Sequence, residues 1–372
     1  MPDVLFNVVV MKKSALIISL FVLSFGVSSL YAQSPKPENQ PKKPKNIILM
    51  IGDGMGTAQI YAAIVMAQDQ LNFNRFKFVG FSKTYSADDF ITDSAAGGTA
   101  LSTGKKTKNS YIGVDPEGKK LETILEMAEK NGLSTGMVTT CDITHATPAS
   151  FIAHVNSRKQ MDDIALDFLK TDIDVFIGGG LDRFNKREDK RNLVDSLKKK
   201  NYQMVYKLDS LQFIRKGKLA GLFYPSHPPK ISEGRGDMLR TGVRKAVELL
   251  SQNKKGFFMM VEGSQIDWGG HDTNSTYVVN EVIDFDKAIG AALDFAERDG
   301  NTLVIVTADH ETGGLSLVGG DIRSYKIKAS FAWSDHTGVM VPVFAYGPGA
   351  EEFTGIMQNT DIFLKMKKAF GF

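Results

Sequence analysis

The sequence lacks the features of a disulfide-stabilised scaffold and of a lipid-anchored protein. Its 372 residues include a single cysteine, Cys141, so no intrachain disulfide can form. Residues 365–372 contain no long apolar tail, and we expect no lipid anchor there. The chain has 42% hydrophobic and 23% charged residues, which is ordinary for a globular protein and excludes the disordered and fibrous classes. We expect one main domain.

Positive charge is concentrated at the start of the chain. Residues 1–45 contain six lysines against Asp3 and Glu38, a net charge of +4, so the total of +3 leaves −1 for the remainder. A nearly neutral body has no overall field that attracts a nucleic-acid backbone. We therefore expect no nucleic-acid binding.

Residues 1–32 predict a secretory signal peptide. Two lysines at 12–13 precede an apolar run over residues 15–27, and small and polar residues follow up to Ala32. This pattern places the cleavage site after Ala32. The alternative is a membrane anchor, which needs about 20 apolar residues, more than this run contains. Met11 is an alternative start, because the residues before it add nothing that a signal peptide needs. We expect the protein to be exported, periplasmic or secreted, without a membrane anchor.

A linker and an α/β domain follow. Residues 33–45 are rich in proline and lysine and predict an extended linker. From residue 46 to 372, short apolar runs alternate with helical patterns, which predicts a largely parallel central sheet with helices on both faces. The more polar segment 181–256 predicts surface helices and an irregular insertion over the sheet. The apolar runs are residues 47–51, 136–140, 175–177, 257–261, 303–306 and 341–345, and the clearest helical patterns are 121–128 and 278–296.

Three of these predicted strands end in acidic residues. Asp53 follows the first, Glu262 and Asp267 follow the fourth, and Asp309 follows the fifth. Ligands of such sheets bind at the carboxyl ends of the strands, so we expect these side chains to meet at one rim. The alternative for residues 262–271 is a solvated charged loop. It is weakened because Glu262 directly follows a buried strand, where an unpaired charge is costly.

Candidate metal ligands and a candidate nucleophile lie in the same regions. Asp267 and His271 are four residues apart, share one face of a helical turn and are good zinc donors. His336 adds an imidazole further along the chain. Ser94 lies among small residues, where the ordinary alternative is a helix N-cap and nothing more. A nucleophilic serine must be activated by a histidine base, or by a zinc ion and a helix N-terminus.

Taken together, these motifs closely resemble those of the alkaline phosphatases of the secreted bacterial type. The resemblance extends from Lys45 to about Phe363, with the motifs in the family's order. The motifs are Asp53-Gly-Met-Gly, Thr92-Asp-Ser94-Ala-Ala, His145-Ala-Thr147-Pro, Glu262-Gly-x-x-Ile-Asp267-x-x-x-His271, Thr307-Ala-Asp309-His310-Glu and His336-Thr-Gly.

The resemblance implies an alkaline phosphatase-like fold and a site with two zinc ions and one magnesium ion. It also implies that Ser94 attacks the phosphorus of a phosphate monoester, and that water hydrolyses the resulting phosphoserine. The substrates would be small-molecule phosphate monoesters, and a homodimer is common among relatives. The implied ligands are Asp267, His271 and His336 for the first zinc, Asp53, Asp309, His310 and Ser94 for the second, and Asp53, Thr147 and Glu262 for magnesium, with Arg158 as phosphate clamp and Asp93 as its orienting partner.

Two positions near the implied site vary within the family. Position 145 is histidine, as in animal members, where some bacterial members have aspartate. Position 268 is tryptophan, where relatives often have lysine or histidine near the phosphate, and an indole offers only one N–H. We expect His154 to be a structural histidine and assign no role to His227.

Other functions remain as alternatives. The closest is a phosphodiesterase or sulfatase of the same superfamily. The residues around Cys141 do not form the sulfatase motif, and diesterases generally lack the magnesium ligand set. The other is a non-enzymatic module that binds metal or phosphate, which we would expect to have lost Ser94 or a zinc ligand.

Overall fold

A computed structural model describes residues 43–372. The signal peptide and most of the linker predicted from the sequence lie outside the described residues. The strands are β1 (Asn46–Gly52), β2 (Phe78–Lys83), β3 (Ser134–Asp142), β4 (Val175–Gly179), β5 (Gln203–Val205), β6 (Leu219–Leu222), β7 (Phe257–Gly263), β8 (Thr302–Thr307), β9 (Glu311–Thr312), β10 (Leu315–Asp321), β11 (Lys326–Phe331), β12 (His336–Thr337), β13 (Val341–Tyr346) and β14 (Gly355–Gln358). The α-helices are α1 (Thr57–Met66), α2 (Ser94–Thr103), α3 (Ile124–Lys130), α4 (Ala146–Ala149), α5 (Met161–Asp167), α6 (Asp182–Asn185), α7 (Leu193–Lys199), α8 (Met238–Leu250), α9 (Gln265–His271), α10 (Ser275–Asp299) and α11 (Asn359–Phe370).

Ten strands form one sheet in the order β14-β2-β13-β8-β1-β7-β3-β4-β6-β5. Only β13 runs antiparallel to its neighbours, β2 and β8, and the other pairings in this sheet are parallel. The predicted α/β class with a largely parallel central sheet is confirmed. The antiparallel direction of β13 was not predicted, because an apolar run carries no information about direction.

The continuous apolar runs are explained by two hydrophobic cores, one on each face of the sheet. In β1, Ile47, Leu49 and Ile51 pack into one core, while Ile48 and Met50 pack into the other. Successive side chains of a strand point to opposite faces, so a strand covered on both faces is apolar at every position. The first core is closed by helices that include α2, α3 and α11, and the second by α1, α8 and α10.

The segment 181–256 differs in part from the insertion that we expected. Its helices α6 and α7 follow that expectation of helical structure, but β5 and β6 extend the main sheet beyond β4. Helix α8 buries one face against the sheet, including Leu239 and Val243. The alternation of polar and apolar residues in an amphipathic helix gives the segment its polar composition, so composition alone did not distinguish a sheet-covering helix from an insertion.

Two small antiparallel pairs lie outside the main sheet. β10 pairs with β11, and β9 pairs with β12 so that Thr312 stands opposite His336. The second pair brings the chain after β8 next to the segment that carries His336. Across residues 43–372, no helix is both long and apolar enough to cross a membrane.

Candidate active site

The carboxyl ends of three adjacent strands meet at one edge of the sheet. β1 lies between β8 and β7, with Ile51 paired to Thr307 on one side and to Glu262 on the other. Asp53 and Asp309 follow these strand ends directly. Gly54 has φ +72°, and a Cβ there would lie 2.7 Å from the Asp267 Cα, so the turn after Asp53 needs glycine. The predicted convergence of the acids is therefore observed.

Asp53, Asp309 and His310 form the most buried cluster, with side chains that are essentially inaccessible to solvent. The His310 Nε2 is 3.4 Å from one oxygen of Asp53 and 3.4 Å from one oxygen of Asp309. Within residues 43–372, those two carboxylate oxygens have no hydrogen-bond partner. Buried oxygens without partners are costly unless a cation or water satisfies them, so the cluster has the character of a cation site.

Ser94 lies beside this cluster at the first position of α2. Its Oγ is 3.2 Å from the His310 Nε2 and 3.4 Å from an Asp53 oxygen. The preceding residue, Asp93, caps the helix by accepting a hydrogen bond from the Ala96 N–H at 3.0 Å. The cap is thus Asp93, and the Ser94 hydroxyl is directed into the acidic cluster. This removes the interpretation of Ser94 as a simple N-cap.

A second cluster contains Asp267, His271 and His336. One oxygen of Asp267 is 3.4 Å from the His271 Nε2 and 3.5 Å from the His336 Nε2. The Nδ1 of His271 contacts the Ser334 carbonyl at 2.8 Å, and the Nδ1 of His336 contacts the Thr92 carbonyl at 2.8 Å. Since Nδ1–H must donate to each carbonyl, the Nε2 atoms are the ones that face Asp267, and once deprotonated they are free to bind a metal ion, as in metal-binding histidines.

The third predicted group contains Asp53, Thr147 and Glu262. Glu262 lies in β7, next to the end of β1 that Asp53 follows. Thr147 lies in α4, which packs closely against α2 because Gly98 has no side chain at the contact. The Thr147 Oγ1 and the Glu262 Oε1 are buried and find no hydrogen-bond partner in the part of the chain that the structure describes. Hard oxygen donors of this kind suit magnesium.

Arg158 reaches the site from the loop after α4. Its Nη1 donates to the Asp93 carboxylate at 3.0 Å, and its Nη2 is 3.4 Å from the His145 Nε2. Burial, together with the charge of Arg158, lowers the pKa of His145 to about 3, so this imidazole is neutral. The neutral ring contacts the guanidinium without repelling it.

The accumulated negative charge is reflected in the titration of the site. Burial and the neighbouring Asp309 and Asp267 raise the pKa of Asp53, and burial with Asp267 and Glu262 raises the pKa of Asp309 to about 7. Burial would also raise the pKa of Asp267, but His271 and the other imidazoles hold it below its usual value. The Asp267 contact in turn raises the pKa of His271 to about 9. Such shifts are typical of sites built for cations or catalysis.

The chain matches known proteins over most of its length. The family model described as alkaline phosphatase matches residues 44–330 and 321–372. The chain belongs to the alkaline phosphatase family. It is 37% identical to alkaline phosphatase 4 of Bacillus subtilis, over 85% of this chain and 87% of that protein. It is 34% identical to the alkaline phosphatase of Escherichia coli, over 89% of this chain and 87% of that protein.

Solved structures give the same assignment. The alkaline phosphatase of the Antarctic bacterium TAB5 is 43% identical and superposes with a TM-score of 0.85, over 89% of this chain and 99% of that one. A variant of the TAB5 enzyme holds magnesium in a site called M3. With this family, the chain is an alkaline phosphatase enzyme that acts on phosphate monoesters and uses divalent metal ions.

Sequence reasoning missed two residues close to the site. The Thr312 hydroxyl donates to Asp267 and lies 3.3 Å from the His310 Nδ1, so it touches both the Asp53–Asp309–His310 cluster and the Asp267–His271–His336 cluster. Its place in the motif after β8 could have suggested this. His227, to which no role was assigned, packs edge-on against Trp268 with ring centroids 4.9 Å apart. No local signal indicates that contact, because the two residues are brought together only by the fold.

Proposed function

We propose that this enzyme hydrolyses small-molecule phosphate monoesters through a phosphoserine at Ser94, in a site for two zinc ions and one magnesium ion. The observation that carries the proposal is the buried Ser94 hydroxyl, placed at a helix N-terminus between Asp53 and His310. A helix N-terminus favours developing negative charge on this oxygen.

The residues fit the proposed ions. The first zinc would be held by Asp267, His271 and His336, and the second by Asp53, Asp309, His310 and the Ser94 oxygen. Magnesium would be held by Asp53, Thr147 and Glu262; a variant of the related TAB5 enzyme binds magnesium in a site called M3. When bound, these ions would lower the pKa of oxygen nucleophiles and neutralise charge on the phosphate and on the leaving oxygen. The unpartnered oxygens of Asp53, Asp309, Thr147 and Glu262 support this assignment.

Ser94 carries the covalent step in this proposal. Its hydroxyl gives up a proton as the Oγ forms a bond to phosphorus, the bond from phosphorus to the alcohol oxygen breaks, and the alcohol oxygen takes up a proton in exchange. Water then forms a new bond to phosphorus as the Ser94 Oγ–P bond breaks, which releases inorganic phosphate and returns the serine hydroxyl. Asp53, whose oxygen lies 3.4 Å from the Oγ, orients the serine for both steps.

Arg158 binds two oxygens of the phosphate in this arrangement. A planar guanidinium can donate two parallel hydrogen bonds, and Asp93 already holds one of its nitrogens at 3.0 Å. The ion pair leaves the guanidinium fixed in orientation before substrate binds. His145 and Trp268 border the same region without adding charge to it.

Substrate range, assembly and location are also proposed. We infer that the enzyme accepts a broad range of phosphate monoesters. One relative, 31% identical, is named for a single substrate: the streptomycin-6-phosphate phosphatase of Streptomyces griseus. We propose a homodimer, in keeping with exposed apolar side chains such as Phe81 and Ile356, which are paired in adjacent strands of the sheet. We also propose export to a periplasm or beyond the cell, directed by residues 1–32.

The test is a parallel assay of purified protein with p-nitrophenyl phosphate, a phosphodiester and a sulfate ester, combined with metal analysis. Monoesterase activity with zinc and magnesium bound is expected to dominate. Diesterase or sulfatase activity of equal or greater efficiency would overturn the proposed reaction, and a different ion content in fully active protein would overturn the ion set.

A further inference from the structure

A buried group of hydroxyls lies behind Glu262, on the side away from its unpartnered oxygen. Thr139 is opposite Glu262 in the register between β3 and β7, and its hydroxyl donates to the Glu262 Oε2. The same Thr139 oxygen lies 2.8 Å from the Ser264 Oγ and accepts the Cys141 N–H at 3.2 Å. The Cys141 Sγ is a further 3.3 Å neighbour of the Glu262 Oε2. All of these side chains are fully buried.

The directions of these hydrogen bonds follow from counting protons. The Thr139 hydroxyl has a single proton, and it donates that proton to the Glu262 Oε2. The contact with Ser264 must then be a donation from Ser264 to the Thr139 oxygen. The Ser264 position is itself held, since its backbone N–H donates to the Thr140 hydroxyl at 2.9 Å. We call the chain of hydrogen bonds from Ser264 to Thr139 and from Thr139 to Glu262 the relay. Each donor polarises the next, so the relay strengthens the final hydrogen bond to the carboxylate.

Because of the relay, the two oxygens of Glu262 differ in their hydrogen bonding. Oε2 is satisfied by Thr139, while Oε1 is buried and has no hydrogen-bond partner among the described residues. A carboxylate held in this way presents one oxygen in a fixed direction. Without the Thr139 hydroxyl, the side chain could rotate so that either oxygen faced the site, and its orientation would have to be restored when a cation binds.

We propose that Thr139 is a positioning residue for the magnesium site, acting through Glu262 and supported by Ser264. This inference rests on the proposed function, because it takes Glu262 as a magnesium ligand. Thr139 does not touch the substrate or the ion. Hydrogen bonds to metal-binding carboxylates typically change metal affinity by 10- to 100-fold, and we expect the same range here.

The test is magnesium titration of the zinc-loaded protein by calorimetry, with zinc content measured on the same samples. Thr139→Val removes the hydroxyl at nearly constant volume and should raise the magnesium dissociation constant about 10- to 100-fold while zinc content stays unchanged. Thr139→Ser restores the hydroxyl and should bind magnesium nearly as the wild type does. Thr135→Val is the matched control: Thr135 is buried on the same strand, but its hydroxyl donates to Glu129 at 3.1 Å.

The outcomes separate the inference from the function on which it rests. Wild-type magnesium affinity in Thr139→Val would overturn the inference, as would equal weakening in Thr139→Val and Thr135→Val. If Thr139→Val does not fold, Ser264→Ala replaces it: weaker magnesium binding supports the relay, and unchanged binding contradicts it. If the wild-type protein itself binds no magnesium, the proposed ion set is wrong rather than the role of Thr139 within it.

Discussion

The Ser94 Oγ lies 3.2 Å from the Nε2 of His310, inside a cluster of carboxylates that is closed to solvent. A hydroxyl in such surroundings has no need of a separate histidine base if cations occupy the cluster, because they favour the ionised oxygen. We therefore predict that Ser94→Ala folds and retains zinc, held by the three remaining side chains, but loses monoesterase activity by roughly 10³-fold or more. Turnover of p-nitrophenyl phosphate and zinc content in the same sample provide the measurement. Zinc lost together with activity would point to a structural role for Ser94.

Removal of metal should affect stability as well as activity. Asp53, Asp309 and Glu262 have raised pKa values because burial disfavours their charged forms, and repulsion by neighbouring carboxylates adds to this at Asp53 and Asp309. A chelator should abolish activity and lower Tm by about 5 °C or more, since ions that bind only the folded state stabilise it. Zinc together with magnesium should restore both activity and Tm. Glu262→Ala should weaken magnesium binding first, ahead of any effect on zinc binding. A chelated sample that melts at the original temperature would contradict this.

Arg158 and Asp93 should act as a pair in phosphate binding. Loss of the guanidinium in Arg158→Ala should lower kcat/KM about 10- to 100-fold, from the loss of charge-assisted hydrogen bonds. Arg158→Lys should recover only part of this, because an ammonium cannot bind two oxygens in a plane. Asp93→Asn should raise KM by releasing the 3.0 Å contact that orients Arg158. Equal activity of the lysine variant and the wild type would exclude bidentate binding.

Trp268 should weaken phosphate binding relative to a cation at the same position. Trp268→Lys adds a charged donor and should lower the inhibition constant of inorganic phosphate about 10-fold, with slower turnover if product release is limiting. Phe213→Lys, at an aromatic side chain that is 75% exposed, controls for added charge.

The alternative role of Trp268 is packing. The indole lies edge-on to His227 and His145, with ring centroids 4.9 and 6.3 Å away. If packing is its only role, Trp268→Lys should lose zinc from the adjacent cluster without tighter phosphate binding.

Much of this arrangement could be predicted because it is encoded locally. Apolar runs identified the central strands, and the four-residue spacing of Asp267 and His271 placed both on one face of α9. The contacts of Thr139 with Glu262 and of His227 with Trp268 could not be predicted, since they join residues far apart in the chain. The strands β5 and β6 have only three and four residues, too few for a periodic pattern.

The pH dependence of stability should include a contribution from Glu126. Burial opposes its charge, but contacts with His154 and Lys120 outweigh burial and lower its pKa from 4.5 to about 2. A depressed folded-state pKa gives stability that is present above pH 4.5 and is lost as the pH falls toward 2. Glu126→Gln should therefore cost about 1 kcal/mol at pH 7, a modest value because the pair is partly exposed to solvent. Denaturation of the wild type and of Glu126→Gln at pH 7 and at pH 2 tests this prediction. A difference in the free energy of unfolding that persists at pH 2 would contradict it.

The most direct test of the central claim is to trap the covalent intermediate. Purified enzyme with zinc and magnesium is mixed with a phosphate monoester labelled in the phosphoryl group, quenched in acid, digested and sequenced by mass spectrometry. We predict label on Ser94 in the wild type and none in Ser94→Ala. Label on a different residue of the wild type, or turnover of the alanine variant near the wild-type rate, would contradict the assignment of Ser94 as the nucleophile.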